Sequence, residues 1–203
     1  MGTRSLIMVQ SNNKLKVAQY CQYDGYLLGQ GQKVLESVID LADNPGKLEY
    51  FRQIVDGCTY ADEAYFKSCI ESVGIPKDTE YMDQQQASVF LANFPEFDRA
   101  LGAGIIPMLL KRGSLKLKND EDFAGDSVFC EYAYVVNLDD KLLEVYEGSN
   151  EEPLEPSDRF YHLTGSEKKD CHPIKIVAQY VFDELTKDTF RELNEVLSDD
   201  EDE

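Results

Sequence analysis

The stretch Val128-Phe129-Cys130-Glu131-Tyr132-Ala133-Tyr134-Val135-Val136 alternates in the manner of a β-strand. Successive side chains of a strand point to opposite sides. Cys130, Tyr132, Tyr134 and Val136 therefore share one face, and Phe129, Glu131, Ala133 and Val135 the other. Asn137 to Lys141 supplies polar turn residues, and Leu142 to Tyr146 returns as the partner strand, so the pair reads as a hairpin. Working outward, a second hairpin is expected at the N-terminal end. There Leu6-Ile7-Met8-Val9 and Leu15 to Tyr20 flank the turn residues Ser11-Asn12-Asn13-Lys14. Toward the other end, Arg159 to Leu163 reads as a short strand. Ile174 to Phe182 reads as a longer one, with Ile174, Ile176, Ala178, Tyr180 and Phe182 on one face.

Between the hairpins the apolar spacing turns helical. Val34, Leu35, Val38, Ile39 and Ala42 form one stripe, closed by Asn44-Pro45-Gly46; Leu48, Phe51, Ile54 and Val55 form the next. Thr59 is read as the N-cap of a helix carrying Tyr65, Phe66, Cys69, Ile70 and Val73, and Asp83 as the cap of one carrying Ala87, Phe90 and Leu91. A short helix around Ile105, Ile106, Leu109 and Leu110 stops at Gly113. Gly148–Pro156 and Gly165–Pro173 are read as loops, and Thr186 or Asp188 starts a last helix through Phe190, Leu193 and Leu197. The expected fold is a single α+β domain over residues 1–197. A mostly antiparallel sheet is covered by helices, with a helical insertion between the first hairpin and the later strands. Residues 198–203 are expected to be a disordered acidic tail.

Charge is the most unusual bulk property: 39 acidic against 20 basic residues leave −19. Such a surface repels nucleic acid and anionic lipid and lacks the basic footprint of a nucleic-acid reader; it serves solubility or meets a basic protein partner. No apolar run is long enough for a membrane span and no basic-then-apolar leader opens the chain, so a cytoplasmic protein is expected. Five cysteines at irregular spacing read as reduced thiols rather than a disulfide framework. No CxxC or HxxxH pattern is present, and neither a metal nor another cofactor is expected.

The candidate chemistry lies at Tyr20-Cys21-Gln22-Tyr23-Asp24-Gly25-Tyr26-Leu27-Leu28-Gly29-Gln30-Gly31, a polar turn between a strand and a helix. Gly29-Gln30-Gly31 ahead of a helix resembles an anion cradle, but Leu35 and Glu36 stand where a dinucleotide fingerprint needs its third glycine, and the P-loop lysine is missing. The alternative is that the glycines merely permit a tight connection with positive φ. Asp24 between two tyrosines offers a carboxylate and two phenols, and Arg4, one hairpin away, is a counter-ion for it. The candidate ligand-binding set is Arg4, Tyr23, Asp24, Tyr26 and Gln30. Cys21 reads as a buried structural thiol, since only His162 and His172 exist to activate it and both lie in later loops. No pair of carboxylates is distinguished by its context.

Met1-Gly2-Thr3-Arg4-Ser5-Leu6-Ile7, Ala18-Gln19-Tyr20, the turn Gln22-Tyr23-Asp24-Gly25-Tyr26 with Gly29-Gln30-Gly31, and Phe129 to Leu138 with Leu143 to Tyr146 together carry a resemblance. They resemble an uncharacterised family found in bacteria, their phages and fungi. Its pattern places a proline after the second tyrosine of the turn, where this chain has Leu27. The resemblance implies that the turn is a family hallmark and implies no activity. Two readings follow. One is a non-enzymatic interaction protein that binds a basic protein or a small polar ligand. The other is a small hydrolase or transferase with its site at the Tyr23–Tyr26 turn.

Overall fold

The computed structural model describes residues 2–163 and 171–200. Strands β1 (Ser5–Ser11) and β2 (Lys14–Cys21) form the first hairpin. Helices α1 (Gln32–Ala42) and α2 (Pro45–Gly57) follow, then the two-residue strand β3 (Thr59–Tyr60). Next come α3 (Glu63–Ser72), α4 (Gln84–Asn93), α5 (Ile105–Arg112) and the short strand β4 (Lys116–Leu117). Strands β5 (Tyr132–Asn137), β6 (Leu142–Glu147) and β7 (Lys175–Val181) precede the last helix, α6 (Thr189–Asp200).

The main sheet has the order β2-β1-β5-β6-β7, antiparallel throughout except where β1 meets β5. Cys21 and Tyr132 both pair with Ser5, so the helical insertion leaves and rejoins the sheet at the same end. The two faces of the sheet are covered differently. Ile7, Val9, Tyr134, Val136, Leu143 and Val145 face the helices and pack with Val34, Leu35, Phe51, Leu109 and Phe190. Leu6, Met8, Ala133, Val135 and Tyr146 face the other way, against Ala124, Phe160 and Ile174 from irregular segments. Each fully buried side chain of this size contributes about 1.5–3 kcal/mol. A third, smaller cluster of Cys69, Ile70, Ile75 and Phe90 joins α3 to α4. The structure is thus the expected α+β domain with a mostly antiparallel sheet and a helical insertion.

Local differences have physical reasons. The cap of α3 is Asp62, whose carboxylate accepts from the Tyr65 amide, because Thr59 is held by β4 in a short parallel pair. The strand expected from Val128 starts only at Tyr132. The Phe129 and Cys130 amides are drawn to the Asp126 carbonyl in a turn instead of a ladder. Arg159 to Leu163 forms turns rather than a strand, closed by the Asp158 and Phe160 carbonyls. A register shift opposite Val145/Tyr146 breaks the alternation of β7. Ile176 thereby faces one side of the sheet and Ala178 and Tyr180 the other. Ser198, assigned to the tail, is in α6, while residues 201–203 and most of the 165–173 loop lie outside the described residues.

Candidate functional site

The glycine turn is built as a rigid corner. Leu27–Gly31 forms a π-helical turn that runs directly into α1. Gly29 N–H and Gly31 N–H donate to the Tyr26 carbonyl, and Gln30 N–H donates to the Asp24 carbonyl at 2.7 Å. Every N–H of the supposed anion cradle is therefore spent inside the turn. The residue with positive φ is Asp24 at 57°, and none of Gly25, Gly29 and Gly31 adopts such an angle. Close approach is what demands a glycine there: a Cβ on Gly31 would lie 2.7 Å from the Tyr134 hydroxyl oxygen. That hydroxyl, on the helix-facing side of β5, donates to the Gly25 carbonyl at 2.9 Å, and burial pushes its pKa well up.

The five candidate residues separate. Gln30 is buried and bridges the frame: its amide donates to the Tyr23 carbonyl at 3.4 Å and its oxygen accepts from Ala103 N–H at 2.9 Å. Tyr23, Asp24 and Tyr26 are exposed on the corner. Arg4 pairs with Glu131 at 3.8 Å and lies over the Phe129 ring at 4.5 Å, rather than pairing with Asp24. Cys21 donates its thiol to the Tyr23 carbonyl at 3.2 Å, and burial raises its pKa, which keeps it protonated. The histidines are engaged elsewhere. His162 faces Glu121 at 3.5 Å and the Arg159 carbonyl, and the His172 amide donates to the Asn150 carbonyl. Among the described residues no group of His, Cys, Asp and Glu is arranged to hold a metal ion, and no helix is long and apolar enough to cross a membrane.

A different site stands on the other face of the sheet. Glu144 of β6 is 5% exposed, and four donors surround its carboxylate. Arg159 Nη2 and Nε donate at 2.5 and 2.9 Å, Tyr146 Oη at 2.7 Å and Asn137 Nδ2 at 3.2 Å. A carboxylate has about four lone-pair positions, so this one is saturated. Arg159 is itself fixed from a further side by the Gln10 amide oxygen. The local reason is register. Val135, Glu144 and Gln179 are cross-strand neighbours, and Gln10 pairs with Asn137, so one end of this face is polar while the other holds the apolar cluster.

Above this floor is an open cleft of about 520 Å3. Leu142 and Ile176 give it aliphatic wall; Ser157, Asp158, Asp140 and Gln179 give it polar wall. Asp140 accepts from Asn137 Nδ2 and Asp158 from the Glu155 amide. Neither carboxylate has an ion-pair partner among the described residues. Lys175, within the field of Asp158, is paired with Glu152. The Glu144–Arg159 pair is neutral as a unit, so among the described lining residues the two rim carboxylates leave a net negative charge. The sequence held one signal for this: Glu144, a charge inside an apolar strand, two residues from Tyr146 and therefore on its face. Its counter-ion could not be found that way, because Arg159 arrives from a separate turn. No family model, curated protein or solved structure matches the chain.

Proposed function

We propose that this chain is a non-enzymatic binding protein whose cleft over Glu144 and Arg159 takes a small organic cation, an alkylammonium with an aliphatic body. The observation that carries the reading is the saturated Glu144–Arg159 pair beneath two carboxylates, Asp140 and Asp158, that form no ion pair among the described residues. A cation there meets the Asp140 and Asp158 carboxylates at the rim, and Leu142 and Ile176 cover its methylenes. Binding is favoured over catalysis because Glu144 has no free position from which to take a proton. At the turn, the Cys21 thiol is held protonated with no histidine bonded to it. We also infer a cytoplasmic setting, which the lack of any disulfide among the described residues supports.

Titration calorimetry with spermidine tests the site. Since the whole surface is acidic, the control is a pair of variants of equal charge change: Asp140→Asn/Asp158→Asn in the cleft, and Asp40→Asn/Asp43→Asn on and just after α1. The expected result is saturable binding with one ligand per chain, weakened roughly tenfold or more only by the cleft variant. Equal weakening by both variants, or heat without saturation, overturns the reading. An N-acetyl-lysine amide in parallel separates a free polyamine from a lysine side chain on a partner.

A further inference from the structure

A second feature, independent of the cleft, is an apolar groove between α3 and α4. Its volume is about 460 Å3, and Phe66, Phe90, Phe97, Met82, Ala87 and Leu91 line it. Phe66 meets Phe90 and Phe97 edge-on at 5.4 and 5.2 Å, and Phe90 stacks on Phe97 at 5.8 Å. These contacts hold an aromatic wall in place while Phe66 stays 36% exposed. Val89 on α4 is also exposed, at 42%. An exposed apolar surface of this kind, outside the main core, is the sort that a binding partner covers.

The charge around it states what docks. Residues 61–98 hold eight carboxylates against two lysines, a balance of −6 in 38 residues, denser than the −19 in 203 of the whole chain. Of the nearby basic groups, Lys67 pairs with Glu63, Lys118, which lines the groove, pairs with Asp120, and Lys116 lies over the Tyr65 ring at 4.7 Å; Lys77 is the other lysine of the segment. Glu71, Asp78 and Glu80 form no ion pair among the described residues.

We infer that this groove receives one amphipathic helix of a partner protein, with leucine-like anchors toward the phenylalanines and a lysine- and arginine-rich face toward the acidic rim. A helix laid in a groove reads out anchors at i, i+3, i+4 and i+7, and complementary charge around it speeds encounter and selects the partner.

The test uses the full chain and fluorescence anisotropy of two synthetic peptides of identical leucine–lysine composition. One places its leucines in a helical stripe; the other disperses them around the helix. Expected is saturable binding of the striped peptide, about tenfold tighter than the dispersed one and weaker at high salt. Ala87→Glu, on the groove wall, should weaken it about tenfold. The variant Glu71→Gln/Asp78→Asn/Glu80→Gln, which thins the acidic field of the 61–98 segment, leaves the groove lining intact and replaces only exposed side chains, should weaken it several-fold. Circular dichroism verifies that both variants are folded. Equal binding of the two peptides, or a Glu71→Gln/Asp78→Asn/Glu80→Gln variant that binds like the wild type, overturns the inference. Sedimentation of the unliganded protein supplies the remaining arm: a self-association abolished by Ala87→Glu would assign the groove to a second copy and also overturn it.

Discussion

Glu144 receives a donor on every lone pair, and that determines how a substitution there fails. Glu144→Gln keeps the shape but removes the charge that compensates Arg159, whose side chain is only 21% exposed. An uncompensated buried charge costs about 3–5 kcal/mol. Tyr146→Phe removes one donor and leaves the pair intact, for about 1–3 kcal/mol. Urea denaturation of both variants should give that order; a Glu144→Gln protein as stable as the wild type would show that Arg159 finds charge elsewhere. Glycines provide an opposite pair at the same scale. Gly31→Ala drives a Cβ into the buried Tyr134 ring, at 2.7 to 2.8 Å, with an expected loss of about 1–3 kcal/mol. Gly46 lies in α2 with nothing within 4 Å of its would-be Cβ. Gly46→Ala should therefore stabilise the protein, by about 0.4–1 kcal/mol, through a less free unfolded chain. Thermal melts of the two variants should move in opposite directions.

At the scale of elements, α4 depends on its cap more than its neighbours do. Asp83 accepts from the Gln86 amide at 2.8 Å while the Gln86 side chain accepts from the Asp83 amide at 3.0 Å, a reciprocal box. Only Phe90 of this helix is fully buried, so little packing replaces a lost cap. Asp83→Ala should cost about 0.5–2 kcal/mol. Hydrogen exchange should show it as faster exchange in α4, with β1 and β5 unchanged. This cap was legible in the sequence because its signal is local: an acid, a glutamine three residues on, then apolar residues. The same holds for the β5–β6 hairpin and for Gly113, which ends α5 at φ 85°. What could not be read depends on distant partners. Thr59 looked like a cap until β4, arriving from residues 116–117, took it into a strand. The face of Ile176 was set by a register shift against β6. The turn was visible as a turn, yet its Gly31 answers to Tyr134 on a strand far along the chain, and its candidate counter-ion Arg4 answers to Glu131. The cleft was half hidden for the same reason: Glu144 stood out in its strand, but it meets Arg159 only once the turn before Phe160 has folded over β6.

For the whole molecule the opposing electrostatic terms can be separated by pH. The net charge of −19 repels itself, so acidification and added salt should both relieve strain in the compact state. Asp139 works in the other direction. Burial acts to raise its carboxyl, but the Asn13 and Asn12 amides, the Gln10 side chain and Arg52 outweigh it and hold the group below its ordinary value. These bonds tie the β1–β2 turn to the β5–β6 turn and, through Arg52, to α2. A carboxyl depressed in the folded state binds its proton more readily when unfolded. Its stabilisation is therefore complete above the ordinary aspartate value of about 3.9 and is lost as pH falls from there through the folded value. Asp139→Asn removes that contribution but changes the global charge by only one unit. Subtracting the variant's denaturation free energy from that of the wild type across pH cancels most of the self-repulsion common to both. The difference should be positive and flat near neutrality and should shrink below about pH 4. A difference that stays constant to the lowest pH would show that the two turns are joined by shape and not by the Asp139 charge.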